Sequence, residues 1–498
     1  MGHLKGEDRQ QLKYFSLDDY LPEESIVRVI DRFVEVVNIE KLGFVNTEPA
    51  ETGRPSYPPK ELAKLYIYGY ENGIRSSRKL ERETYRNIEV MWLMNELKPD
   101  HKTISNFRKN NIRPIQKLFR EFVQMCKSWK LVDGEIIVVD GTKIRASNNK
   151  KTNFSRKKLD DRLERITTQI NQYLTEMEAN DSTEKDEKKD IKQLLENLST
   201  RKEQYEGYLN KLDQTGENEL SEVDPDARLM GNNRGGVDVC YNVQSAVDGK
   251  HDIVVDYDVS LNPSDQGQLS NMVKKVKKQL KIRHFTVIAD KGYYNGEDLV
   301  RCKKLKVKTI VSRQKSSDPK EQPKEYHTDQ FRYNEEDDQF TCPCEKILYP
   351  HSKKTAKRRN FFNKIACKDC SNVDKCTTGG ASYRMVTRSQ YSDIYAEVDK
   401  FTKDNMALYK RRQMIVEHPF GTIKFTQGGY YFLLRTRRKV RSEVALLFLG
   451  YNLKRVYNIL GFKEIMERLN SYISAFEINI FIFWRFWCKS ANLYCKFA

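Results

Sequence analysis

Long apolar runs are missing from this chain of 498 residues. The one strongly apolar stretch, Tyr472 to Cys488, is interrupted by Glu477, Asn479 and Arg485. It falls short of the roughly eighteen apolar residues a spanning helix needs and reads as a packed tail. The first ten residues are charged and lead into no apolar segment, which predicts a cytosolic protein without a secretory signal. The 24 glycines and 14 prolines are scattered, so no long flexible linker is expected, and no fixed-period repeat is evident. Ten cysteines in a reducing compartment argue against a disulfide framework, yet Cys342, Cys344, Cys367, Cys370 and Cys376 crowd into one segment. Acidic residues are outnumbered, 70 against 88 Lys plus Arg, giving a net charge of +18. That excess favours an anionic partner, nucleic acid before a membrane surface. A hydrophobic share of 38% excludes wholesale disorder and supports more than one core.

Apolar residues recur at helical spacing from Ile26 to Val37, and again from Leu62 to Tyr70 after Pro58-Pro59, a helix start. Residues 1–130 are therefore expected to form a helical N-terminal domain. Its basic and hydroxyl residues, Arg78 and Arg108 among them, suit phosphate contact. Glu135 to Val139 reads as a buried strand that stops at Asp140-Gly141, and Phe285 to Ala289 repeats the arrangement at Asp290. Further strands at Gly235–Asp248, Asp252–Val259 and Val307–Val311, with a helix from Gln266 to Leu280, predict a mixed α/β fold over 131–460. Two insertions interrupt it. Leu159, Leu163, Ile166, Ile170, Tyr173 and Met177, resumed by Ile191, Leu194 and Leu198, predict a helical hairpin over 155–220, a structural or dimerising arm. A Cys-rich insert occupies 324–387. Residues 461–498 form the hydrophobic, aromatic tail.

An Asp-Gly pair after a strand is ordinarily a turn. Two acids at the carboxyl ends of strands, however, stand at the rim of a sheet, where ligands bind. Magnesium selects such hard oxygen ligands, and two ions roughly 4 Å apart activate the attacking oxygen and stabilise the leaving one in phosphoryl transfer. Glu417, on an apolar and basic helix from Tyr409 to Lys424, fits the request for a third carboxylate; Pro419 is expected to bend or break that helix. Cys367 and Cys370 have zinc-knuckle spacing, with Cys376 close by and Cys342 or Cys344 as a fourth thiolate for a closed structural site. Among the basic runs, Arg435-Thr436-Arg437-Arg438-Lys439 is the best candidate for DNA phosphates.

Several motifs then combine: Ser76-Ser77-Arg78-Lys79-Leu80-Glu81, Pro99-Asp100-His101-Lys102-Thr103-Ile104, Val139-Asp140-Gly141-Thr142-Lys143, Tyr241-Asn242-Val243-Gln244-Ser245-Ala246, Ala289-Asp290-Lys291-Gly292-Tyr293 and Val416-Glu417-His418-Pro419-Phe420-Gly421. With them the chain resembles bacterial insertion-sequence DDE transposases with an RNase H-like core, closest to the branch named for insertion sequence eleven-eighty-two. The resemblance implies that Asp140, Asp290 and Glu417 are catalytic carboxylates holding two Mg²⁺ (or Mn²⁺) ions. It implies that Tyr409 and Arg412 hold DNA near the cut, although Arg412 and Glu417 are separated by four residues where relatives often have three. It favours Cys342, Cys367, Cys370 and Cys376 as zinc ligands, with Cys344 spare. The implied protein binds terminal inverted repeats in double-stranded DNA as a homodimer, cuts and joins strands, and works in the bacterial cytoplasm at the nucleoid. Lys424, Arg435 and Arg437 are further candidate DNA contacts. The rivals are a non-catalytic DNA-binding remnant and an RNase H-like nuclease without strand transfer.

Overall fold

The computed structural model describes residues 14, 16–48, 55–179, 185–231, 235–313, 322–353, 357–377 and 380–472. The expected tail beyond Tyr472, residues 354–356 of a basic run and the polar break at 180–184 lie outside the described residues.

Residues Ile136–Arg145 (β1), Arg228–Gly231 (β2), Val237–Asp248 (β3), Val254–Ser260 (β4), Thr286–Ala289 (β5) and Lys308–Val311 (β6) build one sheet. Its order is β2-β3-β1-β5-β6, with β4 also on β3. β4, β3 and β1 are antiparallel, whereas β5 and β6 run parallel to β1. Three antiparallel strands followed by two parallel ones is the RNase H-like arrangement, and the mixed α/β expectation holds. Ile137, Val138 and Val139 are fully buried, as β-branched side chains at the centre of a covered sheet should be.

β1 does not stop at Asp140. It continues through Gly141, paired with Gln244, to Arg145. A side chain at Gly141 would begin 2.4 Å from Gln244 Nε2 and 2.6 Å from Asp265 Oδ1. The glycine therefore serves a close approach across the sheet, not a turn.

The N-terminal third is helical as expected: Ile26–Val36 (α1), Pro59–Glu71 (α2), Ser77–Arg86 (α3), His101–Asn110 (α4) and Ile112–Ser128 (α5). Ser25 caps α1, Asp100 caps α4, and Pro59 occupies the first turn of α2, where its missing N–H costs nothing. Arg156–Ala179 (α6) and Lys185–Thr215 (α7) form the hairpin, rooted in a small cluster of Phe154, Leu159 and Leu212. Leu269–Leu280 (α8), Gly296–Lys304 (α9), Ser392–Asp404 (α10) and Met406–Gly421 (α11) pack on the sheet or on one another. Pro419 does not break α11: the helix runs through it to Gly421 and passes directly into a wider, π-helical turn over Thr422–Thr426. The last helical span, Arg437–Asn470 (α12), is two helices joined across a kink at Gly461, whose φ is +71°, so the first of them ends at Leu460.

α12 packs against α1, α2 and α5, so helical layer and sheet share one hydrophobic core. Phe119 on α5 stands 5.3 Å from Tyr257 on β4 and 6.5 Å from Phe448 on α12, ring centre to ring centre. The Cys-rich insert carries a five-stranded antiparallel sheet between Arg332 and Ser389 that the sequence reading did not anticipate. Phe331, Phe340, Leu348, Phe361 and Val386 form its separate core.

Candidate active site

The parallel register of β1 on β5 pairs Val139 with Ala289. The next residue on each chain is an aspartate, so Asp140 and Asp290 stand side by side at the sheet rim. Arg412 on α11 reaches both, with Nη1 3.7 Å from Asp140 Oδ2 and Nη2 3.2 Å from Asp290 Oδ1. Tyr409, one turn earlier, lies under the Arg412 guanidinium at 5.6 Å, and burial raises its hydroxyl pKa, with Arg412 opposing that shift and the Asp290 charge adding to it. Burial pushes the Asp140 carboxyl up to about 6; the Gly141 N–H and Arg412 pull against that, and Asp290 and Asp265 add to it. Two like charges at one rim repel, and a cation between them relieves that repulsion. Beyond the π-helical turn, Lys424 donates to Thr142 Oγ1, two residues along β1 from Asp140. Burial lowers the pKa of this ammonium.

Glu417 does not join the pair. It is exposed and accepts a hydrogen bond from Gln413 Nε2 at 2.7 Å, along its own helix. His418 meets the Tyr451 hydroxyl at 2.8 Å. Among the described residues no three His, Cys, Asp or Glu side chains gather closely enough to hold a metal ion. Two hard carboxylates already spanned by one guanidinium do fit a divalent cation in donor chemistry.

The predicted DNA contacts divide. Arg78 and Arg435 are exposed. The expectation for Arg108 is corrected: it is only 5% exposed, donates to the Tyr70 hydroxyl at 2.8 Å and covers the Tyr66 ring, so its guanidinium is not presented to solvent. Arg437 is turned inward in part, donating from Nε to the Val259 carbonyl at 2.6 Å. Past the end of β1, Arg145, Asn148, Asn149, Lys150 and Lys151 line a groove of about 510 Å³.

Asp265, Asn242, Gln244 and Tyr293 escaped the sequence reading as site residues. Asn242 and Gln244 donate to Asp265 Oδ1 at 2.8 and 2.7 Å, and the Tyr293 hydroxyl donates to Gln244 Oε1. A polar amide in the apolar run Tyr241 to Val247 was the available signal, because a buried glutamine needs partners.

In the insert, all five clustered cysteines border one cavity of about 20 Å³. Cys344, expected to be spare, accepts from Asn372 Nδ2 and borders the same cavity as the other four.

Residues 15–110 match the model of the transposase domain (DUF772), and residues 221–453 match that of the transposase DDE domain. No curated protein matches. A solved structure, the piggyBac transposase synaptic complex with hairpin DNA by cryo-EM, is similar at 9% identity over 89% of this chain and 82% of that one, with a TM-score of 0.24. The two domain models cover most of the helical layer and most of the sheet with the helix bearing Arg412, and on them the chain belongs to the insertion-sequence DDE transposases.

Proposed function

We propose that this transposase binds the inverted repeats at the ends of its element, cuts DNA there and joins the freed 3′-OH to target DNA, using Asp140, Asp290 and Glu417 with Mg²⁺ or Mn²⁺. The observation that carries the reading is the adjacency of Asp140 and Asp290, bridged by Arg412. Glu417 is taken as the third carboxylate on the family pattern alone, because here it faces solvent and pairs with Gln413; its helix carries Arg412, which reaches both aspartates, and leads into the turn of Lys424, which reaches Thr142. Divalent cations bound there would activate the attacking oxygen and offset charge on the leaving one.

The chain's own residues supply the rest. Asp140 and Asp290 fix the position of the reacting phosphate relative to the sheet. Arg412 exchanges its carboxylates for a DNA phosphate, with Tyr409 holding its plane. Lys424, Arg435, Arg437 and Arg78 neutralise backbone charge on either side. The hairpin α6–α7 provides the dimer contact, and the protein works at the nucleoid. The cysteine cluster is the candidate site for one structural zinc by its chemistry, since thiolates are the ligands zinc selects, but no three of these thiols stand close enough to hold the ion as placed, so binding would have to draw them together. Zinc content of about one atom per chain, lost in Cys367→Ser and Cys370→Ser, is the expected assay result.

The functional test incubates the protein with a short duplex carrying the element end, with Mg²⁺ or Mn²⁺. Nicked and joined products are expected, and Asp290→Ala abolishes both. Nicking without joining identifies a nuclease, binding alone a remnant, and undiminished cleavage by Asp290→Ala refutes the site.

A further inference from the structure

Asp265 lies in the loop between β4 and α8, outside every helix and strand. Its Oδ1 takes the amides of Asn242 and Gln244, whose side chains are 1% and 0% exposed. Gln244 is in turn held by Tyr293, fully buried, whose own N–H donates to the Asp290 carbonyl at 2.9 Å. The chain Asp265–Gln244–Tyr293 thus ties the loop to the turn that carries Asp290.

One glycine closes on the same carboxylate, and a second lies at ordinary contact distance from it. A side chain at Gly141 would collide with Oδ1, and one at Gly292 would begin 3.8 Å from Oδ2. Gly141 directly follows Asp140, and Gly292 is two residues past Asp290. The fold therefore commits two buried amides and the Gly141 close approach to keeping a third negative charge beside a pair that already repels. Such an arrangement is costly alone and is offset when a divalent cation arrives.

We propose that Asp265 is a positioning residue of the active site: fixed by Asn242 and Gln244 between Gly141 and Gly292, it sets the turn of Asp290 against β1 and adds the negative charge that strengthens divalent-cation binding by Asp140 and Asp290. The inference rests on the reading of those two aspartates as metal ligands.

Asp265→Asn is the decisive variant, because the Asn carbonyl oxygen can accept both amide hydrogens while the charge is gone. Mn²⁺ binding is measured by calorimetry on the full-length protein without DNA. The expected result is about tenfold weaker binding in Asp265→Asn with an unchanged melting temperature, and a similar loss in Tyr293→Phe, which keeps the ring but frees the turn. Wild-type affinity in Asp265→Asn overturns the proposal. A wild-type protein that binds no Mn²⁺, or an Asp290→Ala protein that binds it as well as wild type, overturns the metal-ligand reading instead.

Discussion

Asp140 is held where burial and two neighbouring carboxylates oppose its ionisation, and its carboxyl is pushed up to about 6. The ionised form is the one a cation needs, so protons compete with metal once pH falls below that value. Mn²⁺ affinity is expected to be nearly constant between pH 7 and 8 and to fall about tenfold for each unit below about 6; calorimetry at pH 5 and 7 checks it. Gly141 gives a second outcome at this scale. Gly141→Ala places a methyl group against Gln244 and Asp265 and is expected to cost about 1–3 kcal/mol, read as a lower urea midpoint. The aspartates were legible because a hydrophobic strand running into an acid is visible within eight residues of sequence, at Glu135 to Gly141 and again at Phe285 to Asp290. Asp265 was not: its amide partners lie 23 and 21 residues away, and its loop has ordinary turn composition.

Elements are joined by groups that local pattern cannot assign. Arg75 precedes α3 in a basic stretch that reads as a phosphate-binding surface, yet it is buried, with Nη1 3.1 Å from Glu443 Oε1 on α12 and 2.8 Å from the Tyr431 carbonyl. Glu443, wholly buried, also accepts the Leu433 and Leu434 N–H groups. The pair locks the N-terminal helices to the segment between α11 and α12. Glu443→Ala strands the Arg75 charge and is expected to cost about 3–5 kcal/mol, whereas the Arg75→Met, Glu443→Leu double variant recovers part of that loss in the same denaturation assay. The helices themselves were readable because capping residues and 3.6-residue periodicity are local signals. The passage of α11 through Pro419 was not, since the π-helical turn that follows it is accommodated by tertiary contacts such as Lys424 with Thr142.

At the scale of the whole molecule, a net charge of +18 forecasts DNA affinity that falls with salt, but it does not tell which cations do the neutralising. Burial separates them. Arg435 is exposed beside the start of α12, while Arg108 is spent on Tyr70 and Tyr66 inside the helical layer. Each phosphate neutralised contributes about 0.9 to the slope of log K against log salt. Arg435→Ala is therefore expected to weaken duplex binding and flatten that slope by about 1, with the melting temperature unchanged. Arg108→Ala is expected to do the reverse: it empties a buried site, lowers the melting temperature, and leaves the slope of the surviving folded protein intact. Fluorescence anisotropy with a labelled duplex, titrated between about 50 and 200 mM salt, separates the two. If Arg108→Ala flattens the slope as Arg435→Ala does, the buried arginine reaches DNA after all, and the helical layer must open when it binds.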